Sequence, residues 1–297
     1  MKFCVGRLTR SKFHHKWMLI TVFIVILMPI LIGIGLYLKS RPLLLQANLS
    51  ELIFSSEWRP LSGRFGFYTF IVSSVWVTAL SLLIAAPICI LSAIHLTKYA
   101  KKWFLTIMMS VIDILAGIPS VVYGVWGILV IVPFISKYLA PLFGLEVSGY
   151  SLLAGALVLA IMIIPFMLNI MIEIIRIIPS ELEEASLSLG ATKWQTIKKV
   201  IIRKAAPGIV AAMVLGVSRA FGETMAVLMV VGNVIKIPEN LFEPAYPLPA
   251  LIANNYGEML SIPMYDSALM LAALILFAVV LFFNLISRLI ISRLEYN

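Results

Sequence analysis

The chain has 297 residues, of which 62% are hydrophobic and 12% charged, with a net charge of +9. A soluble domain carries about 45–50% apolar and about 25% charged residues, so this composition excludes one and describes an integral membrane protein. The basic surplus then reports on topology and on contact with anionic lipid headgroups, and gives no ground for nucleic-acid binding.

Six apolar runs are each long enough for the roughly 20 residues that a bilayer requires: Trp17–Leu38, Phe65–Ile94, Trp103–Ser136, Val147–Ile172, Ala205–Ile235 and Ser267–Ser287. The first follows a basic flank, Lys2–Lys16, but it outruns the roughly 7–15 residues of a signal-peptide core, so a retained first helix is expected. The second, third and fifth runs are long enough that their helices must tilt, break or carry an interfacial turn. Pro87, Pro119, Pro133 and Pro165 lie inside the runs and mark the expected kinks.

With the N-terminus inside, the inside segments 1–16, 97–103, 173–207 and 288–297 hold 16 of the 23 Lys and Arg residues. The outside segments 39–64, 137–146 and 236–266 hold 6, and Arg219 alone lies within a span. That positive-inside bias places both termini in the cytoplasm, together with the long charged loop 173–207. Residues 1–64 read as a tail, a first helix and an outside loop, and 65–297 as a five-helix core carrying that charged loop.

The chemistry of an enzyme is missing from the sequence. No phosphate-binding G-x-x-x-x-G-K-[ST] loop, H-E-x-x-H or G-x-S-x-G occurs. Cys4 and Cys89 suit neither a disulfide nor a metal motif, and no metal site is expected. His14, His15 and His95 sit at inside membrane boundaries without an acidic neighbour in sequence, which fits a headgroup role. Active transport by such a chain needs energy from another subunit or an ion gradient.

The segment Ser180–Pro207, SELEEASLSLGATKWQTIKKVIIRKAAP, is a charged island between two apolar runs. Ser180 with Glu183, and Thr192 with Gln195, have capping-box spacing, so two short helices are expected, with Gly190 between them where a helix end tolerates positive φ. Leu182, Ala185 and Leu189 share a face of the first; Trp194, Ile197 and Ile201 share a face of the second. Faces of this kind turned outward would fit a groove on a soluble partner. The plainer reading is an amphipathic loop packed on its own bundle.

Arg219 and Glu223, in GVSRAFGETM of the fifth run, are spaced i, i+4 and are expected on one helical face. A charge at membrane depth costs at least about 2.5–3.5 kcal/mol, so the two require a reason. One reading is a basic group lining an anion path with a carboxylate that pairs with it and releases it; the other is an ion pair locking two spans or subunits. Asp113 is the other ionisable group read within a span. Just beyond it, Gly117, Ile118, Pro119 and Ser120 form a break whose backbone either lines the pathway or marks a simple kink.

These residues carry a resemblance. EEASLSLGATKWQTIKKVI, with Glu184-Ala185-Ser186 followed by Gly190, resembles the coupling loop of permease subunits of binding-protein-dependent ABC importers. LAGIPSVVYG (Leu115–Gly124) and SRAFGETMAVLMVVGN (Ser218–Asn233) resemble the phosphate importers, and IPENLFEP (Ile237–Pro244) is more similar to their PstC subunits than to PstA. Arg203 stands where the family usually has the first of two prolines, Pro207 keeps the second, and Tyr246-Pro247 is unusual.

The resemblance implies an all-α, six-helix permease of the type I importer kind. It would pair with a homologous PstA-like permease, with a PstB-like ATPase dimer that binds ATP and Mg, and with a PstS-like phosphate-binding protein; the chain itself would hold no cofactor. It implies a coupling role for Glu183, Glu184, Ala185, Gly190, Ala191 and Trp194, and a pathway or gate role for Arg219, Glu223, Asp113 and Ser120, with inorganic phosphate as substrate. Two alternatives stay open: the same architecture moving phosphonate, sulfate or molybdate, and a membrane component that senses phosphate.

Overall fold

The structure, a computed structural model, describes residues 2–257, 262 and 264–295, and the Cys4, His14 and His15 side chains fall outside it. It is all-α apart from one small hairpin. Six helices among the described residues are long and apolar enough to cross a membrane, matching the six apolar runs in number and order.

The first helix, α1 (Lys2–Gln46), is peripheral: the apolar side chains along its spanning part are exposed, as lipid-facing groups are. It lies along the last helix, α11 (Tyr265–Glu295), where Gly33 leaves room for the Phe277 ring. Two short elements follow, α2 (Leu49–Phe54) and the antiparallel pair β1 (Trp58–Arg59) and β2 (Arg64–Phe65), in register Trp58↔Phe65 and Arg59↔Arg64. The facing arginines repel, and Glu57 offsets this by accepting from Arg64 at 2.6 Å. The Trp58 indole anchors the hairpin, with the Phe65, Phe67, Phe70 and Tyr265 rings around it.

The core is built on α3 (Tyr68–Lys98) and α6 (Leu152–Ile177), which pack more extensively on each other than any other pair. Their buried faces carry small residues, Ser73, Ala85, Ala86 and Ala93 on α3 and Ala154, Ala156 and Ala160 on α6. Small side chains let backbones approach closely where lipid gives no hydrophobic drive to association. The Cys89 thiol, buried and unpaired, donates to the Ile164 carbonyl across this interface.

Two of the long runs break, as their length requires. The third is two helices, α4 (Lys102–Gly117) and the spanning α5 (Ser120–Leu142). Pro119 bars the helical conformation at the residue before it, and Ile118 is extended at φ −68°, ψ 129°. Within α5 the helix widens into π-type turns at 127–131 and 135–139, on either side of Pro133, which lacks an N–H to donate.

The fifth span, α8 (Lys193–Phe221), starts inside the charged loop and stops short of the end of its apolar run. Residues after Gly222 form the short helix α9 (Met225–Leu228) and then a folded-back segment leading to α10 (Leu248–Asn255). Non-helical backbone in such an apolar stretch persists only where its polar groups find partners. Here they cap α6: Ser151, Leu152 and Leu153 donate their N–H groups to the carbonyls of Val230, Glu243 and Leu241 at 3.2, 2.8 and 2.9 Å. The Ser151 hydroxyl closes the cap by accepting from Ala154.

Candidate functional site

The charged loop is a pair of helices turned back on each other. The first, α7 (Ser180–Ser188), has Pro179 at its N-cap, so the expected Ser180–Glu183 capping box is absent. Ser180 is already helical, and Glu183 is drawn instead to Lys98 Nζ at 2.7 Å. The Thr192–Gln195 box is present in both directions, at 3.3 and 2.9 Å, and starts α8. A π-type turn at 197–201 carries that helix straight into the fifth span, so the second short helix of the loop is the first part of a spanning helix.

Gly190 joins the two at φ +82°. Its N–H donates to Leu187 at 2.9 Å and the Ala191 N–H to Ser186 at 3.3 Å. These are the two bonds of a Schellman ending, which needs a left-handed residue at this position. The Ser186 and Thr196 hydroxyls, 2.9 Å apart, tie the helices side by side.

Leu182, Ala185 and Leu189 are exposed, as is Glu184, whose carboxylate has no partner among the described residues. The second face divides: Trp194 is 50% exposed, whereas Ile197 and Ile201 are buried in the chain's own core. The expectation of three outward knobs there is corrected, because the helix continues into the bundle and takes the two isoleucines with it. The exposed tip thus comprises Glu184, Ala185, Leu189, Gly190 and Trp194, with Ala191 and Glu183 half-buried beneath.

At membrane depth the structure separates two residues the sequence pairs. Arg219 is exposed near the C-terminal end of α8, where the helix dipole favours a cation. Its guanidinium carbon lies 4.7 Å from the centre of the Phe166 ring on α6. Glu223 falls past the helix end at Gly222, so the i, i+4 relation does not apply, and among the described residues no ion pair joins it to Arg219. It turns inward, lining a cavity of about 10 Å³ with Ser74, Thr78, Phe221 and Pro247. Its Oε1 accepts from the Ala226 N–H at 3.4 Å.

Asp113 lies on α4, ahead of the break, and not within the spanning helix as expected. It is exposed and accepts from Asn169 Nδ2 of α6 at 3.0 Å. Phe166 and Asn169 are three apart on α6 and share a face, so Arg219 and Asp113 are held by adjacent turns of one helix. The Asn169 Oδ1 is buried without a partner. Ser120 opens α5 directly after the break, and the Tyr123 hydroxyl reaches back across it to the Leu115 carbonyl at 2.8 Å.

Asn169, Phe166 and Lys98 are absent from the sequence reading. An amide in the middle of the apolar run 147–172 is a legible signal for Asn169. Lys98 and Phe166 carry none, since their importance lies in contacts made by residues far along the chain.

The family described as binding-protein-dependent transport system inner membrane component matches residues 85–296. A probable ABC transporter permease protein, YqgH, of Bacillus subtilis (strain 168) is 44% identical over 209 residues, 70% of this chain and 66% of that protein. Two proteins named phosphate transport system permease protein PstC are similar over more of their length. That of Pasteurella multocida (strain Pm70) is 36% identical over 85% of this chain and 88% of its own; that of Xylella fastidiosa (strain Temecula1 / ATCC 700964) is 33% identical over 84% and 81%. Among solved structures, a chain of the MetNI methionine ABC transporter in an inward-facing conformation is similar in fold, with a TM-score of 0.51 at 20% identity, covering 76% of this chain and 94% of that one. Six spanning helices among the described residues, a helical pair leading from the fourth into the fifth, and a family match over most of the bundle agree: the chain belongs to the inner membrane components of binding-protein-dependent transport systems.

Proposed function

We propose that this chain is the PstC-type permease subunit of an ATP-driven phosphate importer and forms half of its translocation pathway. The observation that carries the reading is Arg219, a cation exposed on a membrane-depth face, in a chain whose relatives along most of their length are named phosphate transport permeases. An oxyanion crossing a low-dielectric region needs a cation that is not already neutralised. Arg219 meets that need, because its neighbour is the neutral Phe166 ring and Glu223 faces elsewhere.

The roles of the other residues follow in the same proposal. A homologous permease covers the open face that carries Arg219 and Asp113, and the path runs between the two chains. The two-helix loop faces the cytoplasm with both termini and seats its exposed tip, Leu189, Trp194 and Glu184, in a cleft of an ATPase dimer. ATP and Mg bind in that dimer, and their energy reaches this chain as a displacement of the loop. A phosphate-binding protein delivers substrate at the opposite end.

The test of substrate class is competition. Uptake of labelled phosphate by cells that depend on this chain should be blocked by excess phosphate and arsenate, which share the tetrahedral shape and protonated oxygens, and unaffected by sulfate or molybdate. Inhibition by sulfate or molybdate at equal concentration would assign the pathway to another oxyanion.

A further inference from the structure

The final turn of α3 holds both helices of the loop. Lys98, the last residue of α3, donates to Glu183 of α7 at 2.7 Å, with only 15% and 24% of the two side chains exposed. At the next residue, the Tyr99 ring receives the Lys193 ammonium of α8 at 4.6 Å from its centre and stacks on His95, one turn earlier. Lys98 also lies at the negative end of the α3 dipole, which favours its charge there. The Lys98–Glu183 contact is thus a side-chain ion pair that joins the loop to a spanning helix.

At its other end α3 borders the Glu223 cavity. Ser74 and Thr78 line that cavity, and the Ser74 hydroxyl accepts from the Leu248 N–H at 2.8 Å, fixing the start of α10. Between the two ends α3 is one continuous helix of 31 residues, about 46 Å long at 1.5 Å per residue, and it stays helical through Pro87. A packed helix moves as a unit more readily than it deforms.

We infer that the Lys98–Glu183 pair is a positioning device that hands movement of the loop to α3, and through Ser74 and Thr78 to the cavity holding Glu223. The inference rests on the importer reading for what moves the loop. It assigns no substrate contact to Lys98, which acts through Glu183 alone.

The experiment uses the assembled complex in lipid vesicles and two readouts. The first is phosphate imported per ATP hydrolysed. The second is the ATP-dependent change in fluorescence of a label on Tyr68→Cys, at the far end of α3, in a Cys4→Ser background. Lys98→Met should leave assembly intact, lower import per ATP by at least about tenfold, the lower end of the range for one lost charged hydrogen bond, and abolish the label response. Lys98→Arg should keep both readouts, and the exchange Lys98→Glu with Glu183→Lys should restore them. Unchanged import per ATP and an unchanged label response in Lys98→Met would overturn the inference, as would a swap that restores nothing. The label response needs no phosphate. If the unaltered complex shows that response but imports none, the substrate reading fails and the latch is still judged by Lys98→Met; if it shows no response, the latch itself is refuted.

Discussion

Replacing Gly190 tests the geometry of the loop with a cost that can be worked out in advance. The residue sits at φ +82°, and a Cβ built there meets nothing within 4 Å, so the penalty for alanine is conformational and not steric. An L-residue in the left-handed region costs about 1–2 kcal/mol, which is a factor of about 5–30 in an equilibrium. Asparagine visits that region more readily and should cost less. If the ATPase binds only the loop closed by the Gly190 and Ala191 bonds, its affinity should fall by up to that factor in Gly190→Ala and by clearly less in Gly190→Asn. Titration of purified ATPase against the permease pair in nanodiscs measures this directly. Affinity within twofold of normal in Gly190→Ala would show that the turn does not depend on its glycine. Asparagine weaker than alanine would show that the partner needs the space itself, and the conformational account would fail.

Other residues make separate predictions. Arg219→Gln should abolish phosphate uptake with the complex still assembled, since losing one cation–π contact costs only about 0.5–2 kcal/mol; normal uptake would remove Arg219 from the pathway. Ser74→Ala leaves the Leu248 N–H buried without its acceptor, at about 1–3 kcal/mol, and should lower the thermal midpoint of the purified chain, whereas an unmoved midpoint would mean that α10 is held by packing alone. The Glu243 carboxylate is held below its usual range, first by the Glu239 N–H and then by Lys236 and Asn240. A lowered carboxylate pKa stabilises the loop above the ordinary value near 4.5 and loses its contribution as pH falls through the lowered one. Protection of the Glu239 amide in hydrogen exchange should therefore persist down to that range and collapse below it; loss of protection already near neutral pH would contradict the assignment.

The spans were legible because a bilayer demands one property, apolar length, and hydropathy measures it. Their ends were not, because buried irregular backbone is as apolar as a helix. Residues 222–235 read as more of the fifth span, yet they fold back to cap α6, and only the carbonyls of Val230, Leu241 and Glu243 on the far side of the turn reveal it. The same limit undid the Arg219–Glu223 pairing, which presumes a helix through Gly222. At the loop, the Thr192–Gln195 box was legible because both its partners are local. Ser180–Glu183 has the same spacing, but Pro179 takes the cap position and Lys98, 85 residues away, takes the carboxylate. Ile197 and Ile201 obey the helical period with Trp194, and the period cannot tell an outward face from one continuing into a core. A tertiary contact decided each of these cases.

ATP-dependent phosphate uptake by sealed vesicles tests the central claim most directly, with this chain, its partner permease, the ATPase and the binding protein reconstituted together. The account predicts uptake that requires ATP, requires this chain, and disappears with Arg219→Gln while ATPase and permeases remain bound. An intact complex that hydrolyses ATP and accumulates no phosphate, or that accumulates it equally well without this chain, would contradict it.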